Sequence, residues 1–244
     1  MRVARVGFNG EPRFGLVDGP ELILLKGHPL VHGYETTNER VAIKEVKLLA
    51  PTIPSKVVCI GKNYADHIAE MGLPTQPEPT IFLKPSSSII GPGDPIVLPR
   101  QSEQVELEAE LAIVIGQIAK DVPVDSAMEY IWGYTVANDV TARDLQSSDD
   151  QWARSKGFDS FCPIGPWIET EFIPEGQIIE SRINGEVQQA ATIDQMIHGV
   201  AEIVSYVSEN MTLLPGDIIL TGTPAGITRI NSGDIVECEV EGVG

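Results

Sequence analysis

The stretch VELEAELAIVIG, residues 105–116, limits what this chain can become more than any other segment. Acid and apolar residues alternate up to Leu111 and the run then turns wholly apolar, the pattern of a strand entering a sheet from a solvated or cavity-lined edge. Residues two apart on a strand share a face at about 6.7 Å spacing. Glu106, Glu108 and Glu110 therefore fall on one side, and Leu107, Ala109 and Leu111 on the other. Carboxylates that close repel unless they are solvated or neutralised. A solvated face with spare acids fits the alternation, but residues 111–115 call for burial on both faces. Acids at the mouth of a buried strand point to a site, and a carboxylate cluster is what Mg²⁺, Mn²⁺ or Ca²⁺ takes as ligands.

Composition decides which partners such a site can serve. A chain of 244 residues, 42% of them hydrophobic, can bury a full core. The formal charge of -18 argues against nucleic acid or an anionic membrane, because both need a basic surface. An anionic substrate would need positive charge supplied locally, by a metal and a few selected Lys or Arg. Cys59, Cys162 and Cys238 are odd in number, far apart and without metal-type spacing, which suits a reducing compartment. The opening MRVARVGFNG has no apolar run of signal-peptide length, and no segment approaches a membrane span of roughly 18 apolar residues. A soluble, cytoplasmic protein is expected.

Short strand-like pieces at 3–8, 14–17 and 22–25, separated by Asn-Gly and Asp-Gly turns, predict a small N-terminal β domain over residues 1–50. His28 and His32 read there as loop residues. LLAPTIPSK, 48–56, is the junction to a main domain over 55–244. In KVVCIGKNYADHIAEMG, 56–72, a buried strand ends at Gly61, and Asn63 is expected to cap a brief helix that stops at Gly72. On that helix His67 and Glu70 share a face. The pair reads either as a water-activating dyad or as a surface ion pair. TIFLKPSSSIIGPGD gives a strand ending at Lys84, a substrate-facing cation or a solvated lysine.

Beyond the acid strand, IWGYTVANDVTARDLQ runs from a strand into Asn138 and Asp139, where ligating acids commonly lie. QWARSKGFDSFCPIGPW, 151–167, carries Arg154, Lys156 and Asp159 without periodicity and suits an ordered lining loop. TIDQMIHGVAEIVSYVSENM, 192–211, predicts a helix with a Thr192–Gln195 capping box and a stripe of Met196, Val200, Ile203, Val204 and Val207. His198 beside the stripe reads as structural. The GTPAG loop, 222–226, can offer backbone N–H groups and the Thr223 hydroxyl to a carboxylate. It lacks the lysine and spacing of a P-loop, so no nucleotide site is expected.

In this order, GKNYADHIAEMG, EAELAIVIG, NDVTARDLQ, WARSKGFDSFCPIGPW and PGDIILTGTPAGI resemble the fumarylacetoacetate hydrolase family across residues 55–244. The resemblance implies an α+β, β-rich fold, a mixed β-sheet roll with a few helices, behind the small N-terminal β domain. It implies Mg²⁺ or Mn²⁺ on Glu108, Glu110 and Asp139, with Glu106 as an extra acid, and a homodimer. It turns His67 and Glu70 into a catalytic dyad, with Lys156 and Gln146 stabilising an oxyanion. Arg143, Thr223 and Lys84 become substrate-binding residues. Two departures stand out: Leu107 replaces an aromatic or His of many relatives, and relatives usually run on through another strand past the position of Gly244.

The implied partner is a small anionic 2-oxo acid. The implied reaction is cleavage of the C–C bond next to the ketone of a 2-oxo or 1,3-diketo acid, by an acylpyruvate hydrolase or oxaloacetate decarboxylase. The alternative within the family is a 2-hydroxyhepta-2,4-diene-1,7-dioate isomerase. Outside enzymes, the alternative is a metal-stabilised binding protein, which would have no use for a dyad.

Overall fold

Asn9 and Gly10 both take positive φ, 52° and 82°, the turn geometry that matches the twist of two paired strands. They fold β1 (Arg2–Phe8) onto β2 (Glu11–Asp18), and the next turn brings in β3 (Glu21–Leu25). A single-turn α1 (Pro29–His32), capped by His28, leads to β4 (Thr36–Ala42), which completes a meander. The computed structural model describes residues 1–244.

After β5 (Lys47–Leu49), the apolar run forms β6 (Val57–Gly61), followed by α2 (Ala65–Glu70), β7 (Thr80–Lys84) and β8 (Ile89–Ile90). The acid stretch is two strands rather than one. β9 (Val105–Leu107) and β10 (Ala109–Ile115) are separated at Glu108. Then come β11 (Ile131–Asn138), β12 (Thr141–Ala142), α3 (Arg143–Ser148), α4 (Ala153–Lys156) and β13 (Cys162–Glu169). The hairpin of β14 (Ile178–Ile183) and β15 (Glu186–Thr192) precedes α5 (Val200–Asn210), and β16 (Ile218–Leu220), β17 (Thr228–Arg229) and β18 (Val236–Val240) follow.

Twelve strands form one mixed sheet, ordered β4-β3-β2-β1-β13-β11-β10-β16-β6-β7, with β5 on β1 and β8 on β13. The pairings of β16 with β6 and of β13 with β8 are parallel and the rest antiparallel, so the β-rich mixed architecture is as the resemblance implied. Val3 of β1 stands opposite Ile168 of β13, so the N-terminal meander continues the main sheet. Two smaller sheets, β12-β9-β17 and β15-β14-β18, carry the segments around the acids. No helix is long and apolar enough to cross a membrane.

β10 lies between β11 and β16 and is buried on both faces, which is why residues 111–115 are continuously apolar. Leu111, Ile113 and Ile115 pack with Val200, Ile203, Val204 and Val207 of α5. Ala112, on the other face, meets Val57, Cys59, Ala137 and Cys162. Val105 and Leu107 join a third cluster with Val140, Ala142 and Phe161. The chain therefore changes cores at Glu108.

Two local expectations need correcting. The Thr192–Gln195 capping box forms, but it caps only the 3₁₀ turn Ile193–Gln195. The helix itself starts at Val200, where the Gly199 N–H donates to the Glu202 carboxylate. Asn63 does not cap α2. Its buried amide donates to the carbonyls of His198 (3.0 Å) and Thr221 (2.8 Å) and accepts the His198 N–H (2.8 Å), so it ties two distant loops together.

Candidate metal centre and cleft

The break at Glu108 gathers the acids, and side chains hold it open where a strand ladder would otherwise run. The Glu108 N–H donates to Asn138 Oδ1 (3.0 Å), and the Ala109 N–H to Gln189 Oε1 (3.0 Å). The Ala109 carbonyl accepts from Thr223 Oγ1 (2.9 Å). Gln189, fully buried on β15, also accepts from Ser181 (2.9 Å) and donates to Thr223 Oγ1 and the Pro224 carbonyl, both at 2.7 Å. Both amide protons and both carbonyl lone pairs are thereby used. Neither Asn138 nor Gln189 was singled out from the sequence as holding these acids, because nothing local marks an amide whose partners lie 30 or 80 residues away.

Glu108, Glu110 and Asp139 each bring a carboxylate oxygen to within 4.8 Å of the others, and all three are buried. Glu106 turns aside, accepting from Arg143 Nε (2.7 Å) and Gln104 Nε2 (2.6 Å). Of the solvated or cavity-lined edge expected for this strand, the structure shows the second: Glu106, Glu108 and Glu110 are 6%, 4% and 2% exposed, and Glu108 and Glu110 line a cleft. Cations replace water. Arg143, opening α3, bonds Glu106, Glu108 and the Gln146 amide oxygen. Lys156, closing α4, bonds Glu108 (2.8 Å) and Asp139 (2.6 Å). Lys84 bonds Asp139 and the Val140 carbonyl, so it is neither solvated nor on the cleft wall.

Four carboxylates face three cations, and the uneven supply shows in their acidities. Burial pushes Glu108 up, but Lys156 and Arg143 outweigh it and hold the group well below the usual carboxylate range. Glu110 goes the other way: burial and the neighbouring Asp139 and Glu108 raise it well above that range. It accepts the Gly222 N–H at 2.6 Å. Gly222 has φ 101°, and a Cβ there would stand 2.7 Å from the Asn63 Cβ, so this approach of backbone to carboxylate requires glycine. A compact, all-oxygen cluster with one surplus negative charge fits a hard divalent cation, Mg²⁺ or Mn²⁺, with Ca²⁺ taking the same donors. Burial lowers Lys156, but Asp139 and Glu108 outweigh it and keep the ammonium charged.

A cleft of about 400 Å³, counting its open mouth, lies over the cluster. His67, Arg143, Gln146, Lys156 and Thr223 all reach its wall. On α2, His67 Nδ1 is 3.2 Å from Glu70 Oε2, and the Gly226 N–H anchors Glu70 at 3.1 Å. The GTPAG loop thus serves two of the protein's own carboxylates, Glu110 and Glu70. Thr223 lines the cleft with its hydroxyl proton already given to Ala109.

Residues 56–244 match the family model described as fumarylacetoacetate (FAA) hydrolase C-terminal, and residues 1–51 match one described as Rv2993c-like, N-terminal. Protein Rv2993c of Mycobacterium tuberculosis is 49% identical over 255 residues, taking in 100% of this chain and 96% of that protein. The mitochondrial oxaloacetate tautomerase FAHD2A of Bos taurus is 46% identical over 213 residues, 82% of this chain and 68% of that one. The crystal structure of 2-hydroxyhepta-2,4-diene-1,7-dioate isomerase from Mycobacterium marinum is similar at TM-score 0.93 and 45% identity, covering 100% of this chain and 95% of that one. The family model covers every residue of the acid cluster and its cleft, and the chain belongs to the fumarylacetoacetate hydrolase family.

Proposed function

We propose that this chain is a Mg²⁺- or Mn²⁺-dependent enzyme that moves a proton on a small 2-oxo dicarboxylic acid, interconverting keto and enol forms or shifting an adjacent double bond. The observation that carries the reading is the buried acid triad, with Glu110 short of donors, and the His67–Glu70 pair in reach of one cleft. The names of two relatives, an oxaloacetate tautomerase and a dioate isomerase, support proton transfer as the reaction. An ion bound by Glu108, Glu110 and Asp139 would supply Lewis-acid polarisation of the 2-oxo group.

The chain's own groups do the rest. Glu70 accepts the Nδ1 proton of His67, which leaves the Nε2 lone pair as the base. Nε2 takes a proton from carbon 3, the C–H electron pair becomes the C2–C3 double bond, and the 2-oxo oxygen takes the charge. Delivery of the proton to that oxygen gives the enol. The Lys156 ammonium, beside Glu108 and Asp139, opposes the charge that builds there.

Cleavage is the second reading, because the same base could deprotonate water for acylpyruvate hydrolysis, and the same enolate forms when oxaloacetate loses CO₂. The working unit proposed with either reading is a cytoplasmic homodimer. Oxaloacetate, acetylpyruvate and an unsaturated dioate, assayed with Mg²⁺ and Mn²⁺, separate the readings. Enol formation or decay without release of CO₂ or acetate supports proton transfer. Release of either product supports cleavage, and inertness toward all three would leave a metal-stabilised binding protein.

A further inference from the structure

Three Lys or Arg side chains line the cleft, and two of them are already committed. Arg143 is bonded to Glu106, Glu108 and Gln146, and Lys156 to Glu108 and Asp139. Lys62 is the third, and it has no carboxylate within ion-pair distance. Its Nζ stands 5.9 Å from the centre of the Trp152 ring, which in turn packs edge-on against Phe82. An aromatic face holds an ammonium in place without neutralising it.

The backbone is built to present this residue. Lys62 has φ 60°, a left-handed conformation unfavourable for any residue with a Cβ, and such strain persists only where its surroundings impose it. Both neighbours impose it. A Cβ on Gly61 would come within 2.8 Å of the Trp152 ring, so β6 ends pressed against that indole. Asn63 is locked inward by the carbonyls of His198 and Thr221. The turn between them leaves residue 62 half-buried on the cleft wall.

We propose that Lys62 sets specificity by receiving the second carboxylate of a dicarboxylic 2-oxo acid. This rests on the proton-transfer reading above, in which an ion held by the acid cluster would polarise the 2-oxo group and so fix that end of the substrate there. In a chain of net charge -18, a further carboxylate entering the cleft needs a cation that no internal acid has claimed. A monocarboxylic 2-oxo acid has nothing to offer Lys62.

The test compares oxaloacetate with 2-oxobutanoate, which has the same chain length and one carboxylate fewer, using the Mn²⁺-loaded wild type, Lys62→Met and Lys62→Arg. Deuterium exchange at carbon 3, followed by NMR, reads turnover of both acids, and calorimetry reads their affinities whether or not they turn over. Lys62→Met should raise KM and Kd for oxaloacetate by about 10- to 100-fold, the worth of one charged hydrogen bond. It should move kcat less than KM and leave the Kd of 2-oxobutanoate within about twofold of wild type. Lys62→Arg should restore most of the loss. Equal weakening of both acids, or of neither, would overturn the proposal. Wild-type binding without exchange of either acid would overturn the proton-transfer reading instead, and the affinities would still decide the role of Lys62.

Discussion

Asp217 and Glu110 are buried to the same degree, 0% and 2% exposed, and their surroundings differ in kind. Asp217 accepts the N–H groups of Ser55 (2.9 Å), Lys56 (3.2 Å) and Leu214 (2.8 Å), the Ser55 hydroxyl (2.7 Å) and the Lys56 ammonium. Burial pushes its pKa up, but the bonds from Lys56, Leu214 and Ser55 outweigh it and the net shift is downward. Glu110 has the Gly222 N–H and two carboxylate neighbours, and its pKa rises. A carboxylate that holds the fold is saturated with donors. Glu110, the acid proposed to serve a ligand, is left short of them, and its raised pKa follows from burial beside Asp139 and Glu108.

Substitution of the ligand set should separate the two most widely. Glu108→Ala, Glu110→Gln and Asp139→Ala should each lower Mn²⁺ affinity beyond the roughly 10- to 100-fold that an outer partner costs, and Glu106→Ala should stay within that range. Glu110→Gln should also raise the melting temperature of EDTA-treated protein, because it removes a carboxyl from between two others. Calorimetric titration and paired melts measure both. An indispensable Glu106 beside a dispensable Glu108 would mean that the wrong pair of strand acids has been placed at the ion.

Asp217→Ala should do the reverse, costing about 3–5 kcal/mol of stability by leaving its donors unpaired while Mn²⁺ affinity holds. Because the folded-state pKa is lowered, the Asp217 contribution is present above about pH 4 and is lost as pH falls below it. The stability gap between wild type and Asp217→Asn should therefore narrow in acid, and a gap that widens there would contradict the saturated-carboxylate account. Gln189→Leu should show the smallest effect, weakening Mn²⁺ by about 10- to 100-fold through the released Ala109 and Thr223. Its signature is a reduced rise in melting temperature on adding Mn²⁺. An undiminished rise would make Gln189 a packing residue only.

The contrast also explains what the sequence could and could not disclose. The acid strand, the Asp139 strand end and the early meander follow from periodicity and turn chemistry, which act within a few residues. The resemblance brought His67, Glu70, Gln146, Lys156 and Thr223 to one place, and all but Glu70 line the cleft. The interruption at Glu108 was not legible, because Asn138, Gln189 and Thr223 impose it from distant elements. Lys84 could be read either way because its partner, Asp139, is 55 residues on. Asn63 carries a capping residue's chemistry, and only the fold shows that its donors go to His198 and Thr221.

On the proposed reading, Glu108, Glu110 and Asp139, of which Glu110 is short of donors, would hold a divalent ion that polarises a 2-oxo acid for enolisation. Oxalate resembles such an enolate in its paired oxygens and charge. Calorimetric titration of oxalate into Mn²⁺-loaded and EDTA-stripped protein should give binding in the loaded form alone. Equal affinity in both forms would mean that Arg143 and Lys156 make the anion site by themselves, and the ion-dependent account of Glu108, Glu110 and Asp139 would be wrong.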